Sequence, residues 1–213
     1  MNFQELLEII GDDTVFDASL IRVGGADPQL ISLQLSRWVA SGRLAKLRRG
    51  VYAVAEPYRR RKPEPFATAN LLVRPSYVSL ETALSFHGLI PEAVFTVTSV
   101  TTARPALHRT LLGDFDYRHI SKSMFWGYAL TPIGSSTRAV VASPEKALLD
   151  LVYLRPRADD PAFLRQLRLS HLERLDLGKL LDMARKAGKP KLVRAARVIG
   201  ELAQEHAKEF EEL

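Results

Sequence analysis

The first part of the chain carries apolar residues at helical spacing, separated by short polar or glycine-containing breaks. The apolar positions from Phe3 to Ile10 predict a first helix, which ends at Gly11. Asp17 is a typical N-cap and predicts a short second helix that reaches about Val23. An N-cap acceptor at Asp27, followed by proline, predicts a third helix over Pro28–Ser41.

The apolar stripe of the third helix predicts which face it turns outward. Ile31, Leu35, Trp38 and Val39 share one side and are predicted to point into a core. At 3.6 residues per turn, the opposite side carries small and polar residues, namely Gln29, Ser32, Leu33, Ser36, Arg37 and Ala40. A helix that enters the major groove needs such short side chains and donors for base edges.

Two β-prone runs follow the third helix and surround Arg49-Gly50. The runs Arg43–Arg48 and Val51–Ala55 predict a hairpin. Three helices followed by a hairpin is the element order of a winged helix-turn-helix. We therefore predict a DNA-binding domain of this type over residues 1–56.

The segment EPYRRRKPEP, from Glu56 to Pro65, is rich in proline and basic residues and has no core-forming pattern. We predict that residues 57–65 form a linker. Beyond it, residues 66–213 alternate between helical and β-prone patterns. The predicted helices are Phe66–Val73, Ser79–His87, Ser143–Leu154 and much of the chain after Pro156; the predicted strands are Tyr77–Val78, Val94–Thr101, Phe115–Ile120, Gly127–Leu130 and Arg138–Val141. The predicted class is α+β, with a mixed α/β second domain that ends in a helical extension.

Positive charge is concentrated in one window of the chain. The whole sequence carries a net charge of +6, but residues 37–62 contain nine basic residues and one acid. That window alone has a net charge of +8, so the remaining residues are slightly acidic. A local excess of this kind is typical of a nucleic-acid contact surface.

The candidate DNA contacts follow from the outward helix face and this window. Arg48 and Arg49 lie at the predicted wing tip, where phosphates or the minor groove would be reached, and Arg43 and Lys46 extend the same ridge. The linker's basic run is either a minor-groove arm or a solvated segment. The full predicted set is Gln29, Ser32, Ser36, Arg37, Arg43, Lys46, Arg48, Arg49, Arg59, Arg60, Arg61 and Lys62.

Three patterns typical of enzymes or metal sites are weak in this chain. Gly134-Ser135-Ser136 is similar to the Gly-Ser that opens a nucleotidyltransferase signature, but the residues that follow lack the paired carboxylates that hold magnesium. Ser143-Pro-Glu-Lys146 matches Ser-x-x-Lys, although Ser-Pro-Glu is also a helix cap. The five histidines show no metal-ligand spacing. We expect no catalytic activity, cofactor or metal.

Two further features concern the cellular compartment and a second run of basic residues. The chain has no cysteine and no apolar run of membrane-spanning length, so we expect a cytoplasmic protein without a membrane partner. Arg185–Arg197 holds six basic residues and no acid. It is either the solvated side of a helix, which we favour, or a second polyanion surface.

Three segments resemble the AbiEi antitoxin family, in the same order and at similar spacing. They are LAKLRRGVYA (Leu44–Ala53), YVSLETALSFHGLI (Tyr77–Ile90) and SPEKALLDLVYL (Ser143–Leu154), and the resemblance covers roughly Phe3 to Arg155. It implies a winged helix-turn-helix that binds its own operator and represses a toxin-antitoxin operon. It also implies a second domain that counters a nucleotidyltransferase toxin of the AbiEii type, with no stable complex required (a type IV system). The alternative is a stand-alone winged-helix regulator whose second domain senses a ligand or mediates dimerisation.

Overall fold

The N-terminal part folds into helices packed on a small sheet. The computed structural model of the chain describes residues 1–22, 27–91, 94–134 and 137–211. The elements, in chain order, are α1 (Phe3–Ile10), β1 (Val15–Asp17), a 3-10 helix (Ala18–Arg22), α2 (Pro28–Ala40), β2 (Leu44–Arg48) and β3 (Val51–Val54). Asn2 and Glu5 close a capping box at the start of α1, and Asp27 accepts from the Gln29 amide at the start of α2.

The prediction of a second helix capped by Asp17 was right in its start and wrong in its type, and strand β1 before it was not predicted. Val15 and Phe16 pair with Ala53 and Tyr52 in the sheet, so the backbone is extended up to Asp17. Asp17 then accepts from the Ser19 amide at 2.8 Å and opens a 3-10 helix in place of the expected α-helix. The predicted end at Val23 lies outside the described residues.

The small sheet has the strand order β1-β3-β2 and is buried on both faces. One face packs against α1 and α2 and contributes Phe16, Leu44 and Tyr52 to the N-terminal core. The other face contributes Val15, Val51, Leu47 and Ala53 to the core of the second unit. The sheet is therefore a layer shared by two cores.

A short connection leads to the second unit. A 3-10 helix covers Glu56–Tyr58, and α3 begins at Pro65. The remaining elements are β4 (Ser76–Val78), α4 (Leu80–Phe86), β5 (Val97–Thr101), β6 (Ala106–Thr110), β7 (Gly113–His119), β8 (Tyr128–Ile133), β9 (Thr137–Ala142), α5 (Pro144–Leu154), α6 (Pro161–Gln166), α7 (Leu177–Lys186) and α8 (Pro190–Glu211), with 3-10 turns at Lys122–Met124 and Leu172–Arg174.

The second unit is built on a mixed six-stranded sheet with the order β6-β7-β5-β4-β9-β8. β4 runs parallel to β9, and β5 runs parallel to β7, whereas the other neighbours are antiparallel. Helix α3 lies on one face, where the Tyr117 hydroxyl donates to the Ala69 carbonyl. Helices α4 and α5 lie on the other face, where Tyr77 contacts Asp150. The chain is thus a mixed α+β protein, as predicted.

Candidate nucleic-acid interface

Helix α2 presents the face that its apolar pattern predicts. Ile31, Leu35 and Trp38 are buried, and Trp38 packs edge-on against Phe3 at 5.4 Å between ring centroids. The predicted rotation of the helix is confirmed for these three residues. The polar candidates Gln29, Ser32, Ser36 and Arg37 are all exposed on the other side.

The exposed face of α2 carries no acidic residue. The Ser36 hydroxyl donates to the Ser32 carbonyl at 2.9 Å, and its oxygen lone pairs stay available to a partner. Arg37 is the basic residue of the last turn. From Pro28 to Ala55 the sequence contains five basic residues and no acid, so no side chain of this stretch repels phosphate.

Lys46 and Arg49 are exposed on the hairpin that follows α2. Lys46 lies opposite Tyr52, and Tyr52 belongs to the N-terminal core, so Lys46 projects from the face of the sheet that carries α1 and α2. Arg49 occupies the turn together with Gly50, whose φ of +83° favours glycine. The Gly50 carbonyl accepts from the Ala18 amide at 2.8 Å and fixes the turn to the 3-10 helix.

A β-bulge turns Arg48 away from this side. The register shifts between Lys46 and Arg48, and Arg48 pairs with Val51, which belongs to the second unit's core. Strict alternation would have placed Arg48 on the same face as Lys46, because side chains alternate along a strand. The bulge instead places Arg48 on the face that packs against the second unit.

The surroundings of Arg48 confirm this orientation. Its charge contributes to lowering the pKa of His108, although burial of the imidazole is the larger cause. It also lowers the pKa of Asp17, against the effect of burial and together with hydrogen bonds from Ser19. Its Nη1 donates to the Arg49 carbonyl at 3.3 Å, and its buried Nε has no partner among the described residues. Arg48 is half-buried between the two units, and Arg49 is not.

The remaining sequence candidates differ in how their charges are compensated. Arg43 is exposed and lies over the Phe3 ring, 5.3 Å from its centroid. In the connecting segment, Arg59 pairs with Glu56 at 3.0 Å, whereas Arg60 and Arg61 pair with Asp12 at 3.7 and 2.6 Å. Lys62 is exposed. Within the described ranges, no ion pair involves Arg37, Arg43, Lys46 or Arg49.

A second polar cluster lies deep in the second unit and was missed by the sequence analysis. The Lys146 ammonium forms an ion pair with Asp150 and donates to the Tyr77 hydroxyl at 2.8 Å. Tyr77 and Ser79 both donate to the other Asp150 oxygen, at 2.9 and 2.8 Å. All four side chains are buried, so the cluster joins β4 to α5 beneath the surface. Two of the three segments that carry the AbiEi resemblance supply these four residues, two each, but the residue types alone do not show that they are buried together.

Burial pushes both charged members of this cluster toward their neutral forms. It raises the pKa of Asp150 and lowers the pKa of Lys146, and in each case the partner's charge acts in the opposite direction. Burial also raises the pKa of Tyr77, and the neighbouring Asp150 carboxylate adds to the effect. The Tyr77 hydroxyl therefore stays protonated and acts as a hydrogen-bond donor. Trp126 covers the ammonium, with its ring centroid 5.2 Å from the Lys146 Nζ.

The Ser-x-x-Lys pattern is a helix cap in the structure. The Ser143 hydroxyl accepts from the Lys146 amide at 3.3 Å and donates to Glu145 at 2.7 Å. The Lys146 ammonium bonds to Asp150 and Tyr77, not to Ser143. Ser143 thus has the capping role that Ser-Pro-Glu predicts. Ser135 and Ser136, from the other enzyme-like pattern, lie outside the described residues.

The His87 ring and two residues of the second basic run, Arg185 and Arg194, bond to groups within the second unit. The His87 ring bridges to β9 by donating to the Ala142 carbonyl at 2.8 Å. Arg185 pairs with Asp182 at 3.3 Å and Arg194 with Asp159 at 2.7 Å, as on a solvated helix face. Among the residues the structure describes, no group of three or more His, Asp or Glu side chains is arranged to hold a metal ion.

A groove of about 920 Å³ opens between the second sheet and helix α4. Its apolar wall includes Leu80 and Leu84 from the resemblance-bearing segment Tyr77–Ile90, and Leu151 and Leu154 from the segment Ser143–Leu154. Its polar lining includes Thr96, Thr98 and His119, and the ion pairs Glu81–Arg155 and Asp116–Arg118 border it. The groove has the size of a small-ligand site.

Comparison with known proteins found no match to a protein-family model and none among curated proteins. Membership of the AbiEi family therefore stays a prediction from the resemblance. None of the described helices combines the length and the apolar character that crossing a membrane requires.

Proposed function

We propose that this chain is a regulator that binds double-stranded DNA through its N-terminal unit. In this proposal α1, the 3-10 helix and α2 form the helix-turn-helix, and β2 and β3 form the wing. The observation that carries it is the exposed, acid-free face of α2 in a unit that also exposes four basic side chains, for which the described part of the chain provides no acidic partner: Arg37, Arg43, Lys46 and Arg49.

Each group has a separate role in the proposed complex. Helix α2 lies in the major groove, where Gln29, Ser32 and Ser36 offer donors and acceptors to base edges. Arg37 and the hairpin residues Lys46 and Arg49 contact phosphates and set the position on the duplex. Arg48 is left out of the contact set because its side chain is half-buried against the second unit.

The salt dependence of binding tests this assignment. Each phosphate contact contributes about 0.9 to the slope of log K against log salt concentration. Lys46→Ala with Arg49→Ala should therefore flatten the slope by about 2 on a random-sequence duplex. The matched control is Lys189→Ala with Arg197→Ala, which removes the same charge from exposed positions on the second unit.

The two double variants separate a local contact from an effect of net charge. If only the hairpin variant flattens the slope, the wing contacts DNA. Equal flattening by both would assign the effect to overall charge, and an unchanged slope in both would remove the wing from the interface. A nuclease footprint on the DNA upstream of the gene would then test for an operator.

For the second unit we propose an antitoxin role, on the strength of the AbiEi resemblance. The two resemblance-bearing segments of this unit, Tyr77–Ile90 and Ser143–Leu154, pack together and share the buried Lys146–Asp150 cluster, so they form one structural element of that unit. Co-expression with an AbiEii-type nucleotidyltransferase toxin tests this role. Rescue of growth by the full chain supports it, and toxicity despite full expression would contradict it.

The groove favours one form of the alternative function, a regulator that senses a small ligand. An apolar wall with a few polar groups is typical of ligand sites. A metabolite screen by thermal shift, followed by DNA binding with any hit, tests this alternative. A ligand that stabilises the wild type, but not a variant with the half-buried lining residue Thr96 replaced by arginine (Thr96→Arg), and that changes DNA affinity would favour sensing over an antitoxin role.

A further inference from the structure

Two leucines stand on the face of α2 where polar side chains were expected to dominate. Leu30 is 64% exposed and Leu33 is 49% exposed, and they lie one turn apart. Leu33 lies near the middle of the outward face, opposite the buried stripe of Ile31, Leu35 and Trp38. An exposed leucine is unremarkable by itself, so its surroundings decide its meaning.

The surroundings of this pair point to DNA as the occupant. The same unit exposes basic side chains at Arg37 on α2 and at Lys46 and Arg49 on the hairpin that follows, and no acid occurs from Pro28 to Ala55. Exposed leucines together with exposed basic side chains complement a partner that carries many negative charges and also has an apolar group on its surface. In the major groove that group is the C5-methyl of thymine.

We infer that Leu33, together with Leu30, reads thymine methyl groups, so that the preferred DNA carries thymine at fixed positions. This inference rests on the proposed DNA-binding function and adds the class of sequence that α2 selects. Ser32 and Ser36 contribute hydrogen bonds that fit several bases. The leucines supply the discrimination, because only thymine presents a methyl group in the major groove.

The expected size of the effect follows from burial of one methyl group. Removing such a group from an apolar contact is worth about a fourfold change in affinity. Replacing thymine by deoxyuridine removes only that methyl group and leaves base pairing intact. Leu33→Ala removes the protein side of the same contact.

The experiment is a binding selection from a random-sequence duplex library, prepared once with thymidine and once with deoxyuridine. The proteins are the full-length wild type, Leu33→Ala, Leu30→Ala and the control Leu111→Ala, whose leucine is 69% exposed in a turn of the second unit. The wild type should enrich thymine at fixed positions, with about fourfold preference per contacted methyl. That preference should disappear in the deoxyuridine library and in Leu33→Ala, and should persist in Leu111→Ala.

The outcomes separate this inference from the proposed function. Failure of the wild type to retain DNA from either library would overturn DNA binding itself, whereas retention without enrichment of any sequence would overturn the thymine readout. Enrichment that is equal in both libraries and unchanged in Leu33→Ala would overturn only the thymine readout. A dimer of the free protein that Leu33→Ala dissociates in sedimentation would instead assign the leucines to a contact with a second copy.

Discussion

Replacing Asp150 by alanine should strongly destabilise the second unit. Asp150 is fully buried and accepts hydrogen bonds from Lys146, Tyr77 and Ser79. Its removal leaves the Lys146 ammonium buried without a counter-ion. Breaking a buried pair in this way costs about 3–5 kcal/mol, a large part of the 5–15 kcal/mol that stabilises a typical domain.

The loss should appear directly in thermal unfolding. For a chain of this size, each kcal/mol lowers the midpoint by about 2–4 °C, so Asp150→Ala should lower it by about 6–20 °C. The surface control is Glu81→Ala, which removes a partly exposed ion pair with Arg155 and should cost at most about 1 kcal/mol. Both can be followed by circular dichroism.

A double variant shows whether the cost comes from the orphaned charge. Lys146→Met with Asp150→Leu removes both charges and keeps similar volumes, so the part of the loss caused by the uncompensated ammonium should return, whereas Tyr77 and Ser79 still lose their acceptor. The reasoning would be refuted if Asp150→Ala melted within the range of Glu81→Ala. It would also be refuted if the double variant were as unstable as the two single losses added together, because the charges would then not be coupled.

The remaining predictions concern the N-terminal unit and one surface pair. Trp38→Ala should cost about 3–5 kcal/mol and abolish specific DNA binding, and wild-type thermal stability would contradict its place in the core. Arg48→Ala should change thermal stability but leave the salt slope of DNA binding unaltered, so a flatter slope would return this side chain to the interface. Hydrogen bonds from Arg194 hold the pKa of Asp159 below its ordinary value. The stability from this pair is present at neutral pH and is lost as the pH falls through that lowered pKa, and in Arg194→Ala an NMR titration should find the Asp159 pKa raised.

Local sequence signals predicted the elements whose causes are local. Asp27-Pro28 fixed the start of α2, and the apolar spacing around Trp38 fixed its rotation, because a cap and a helical stripe are properties of neighbouring residues. Likewise, Ser143-Pro144 marked the start of α5.

The errors lie where distant partners decide the structure. Val15 and Phe16 are extended because Tyr52 and Ala53 lie beside them, and nothing around Asp17 announces that pairing. Strand β6 (Ala106–Thr110) was missed because it is an edge strand without a fully buried residue. The position of Arg48 depends on one extra residue in β2, and the sequence signal for a bulge is too weak to locate it.

For the candidate DNA-binding site, the sequence predicted which residues carry the positive charge, but not how those charges are arranged and paired on the surface. Residues 37–62 carry the charge excess, but Arg60 and Arg61 pair with Asp12, which lies far from them in the sequence, shortly after α1. Pairing of this kind is invisible to a count of charges along the chain. The Lys146–Asp150 pair is the opposite case, because nothing about two charged residues in a predicted helix indicates that both side chains are buried.

The sheet with two buried faces limits how this protein can be divided or recombined. Cutting the chain near Lys62 would leave Val15, Val51 and Ala53 facing water, so the N-terminal fragment would need a substitute cover to keep its sheet. Grafting the unit onto a foreign partner would meet the same obstacle. A substitution in this layer therefore has to suit the packing on both of its faces at once.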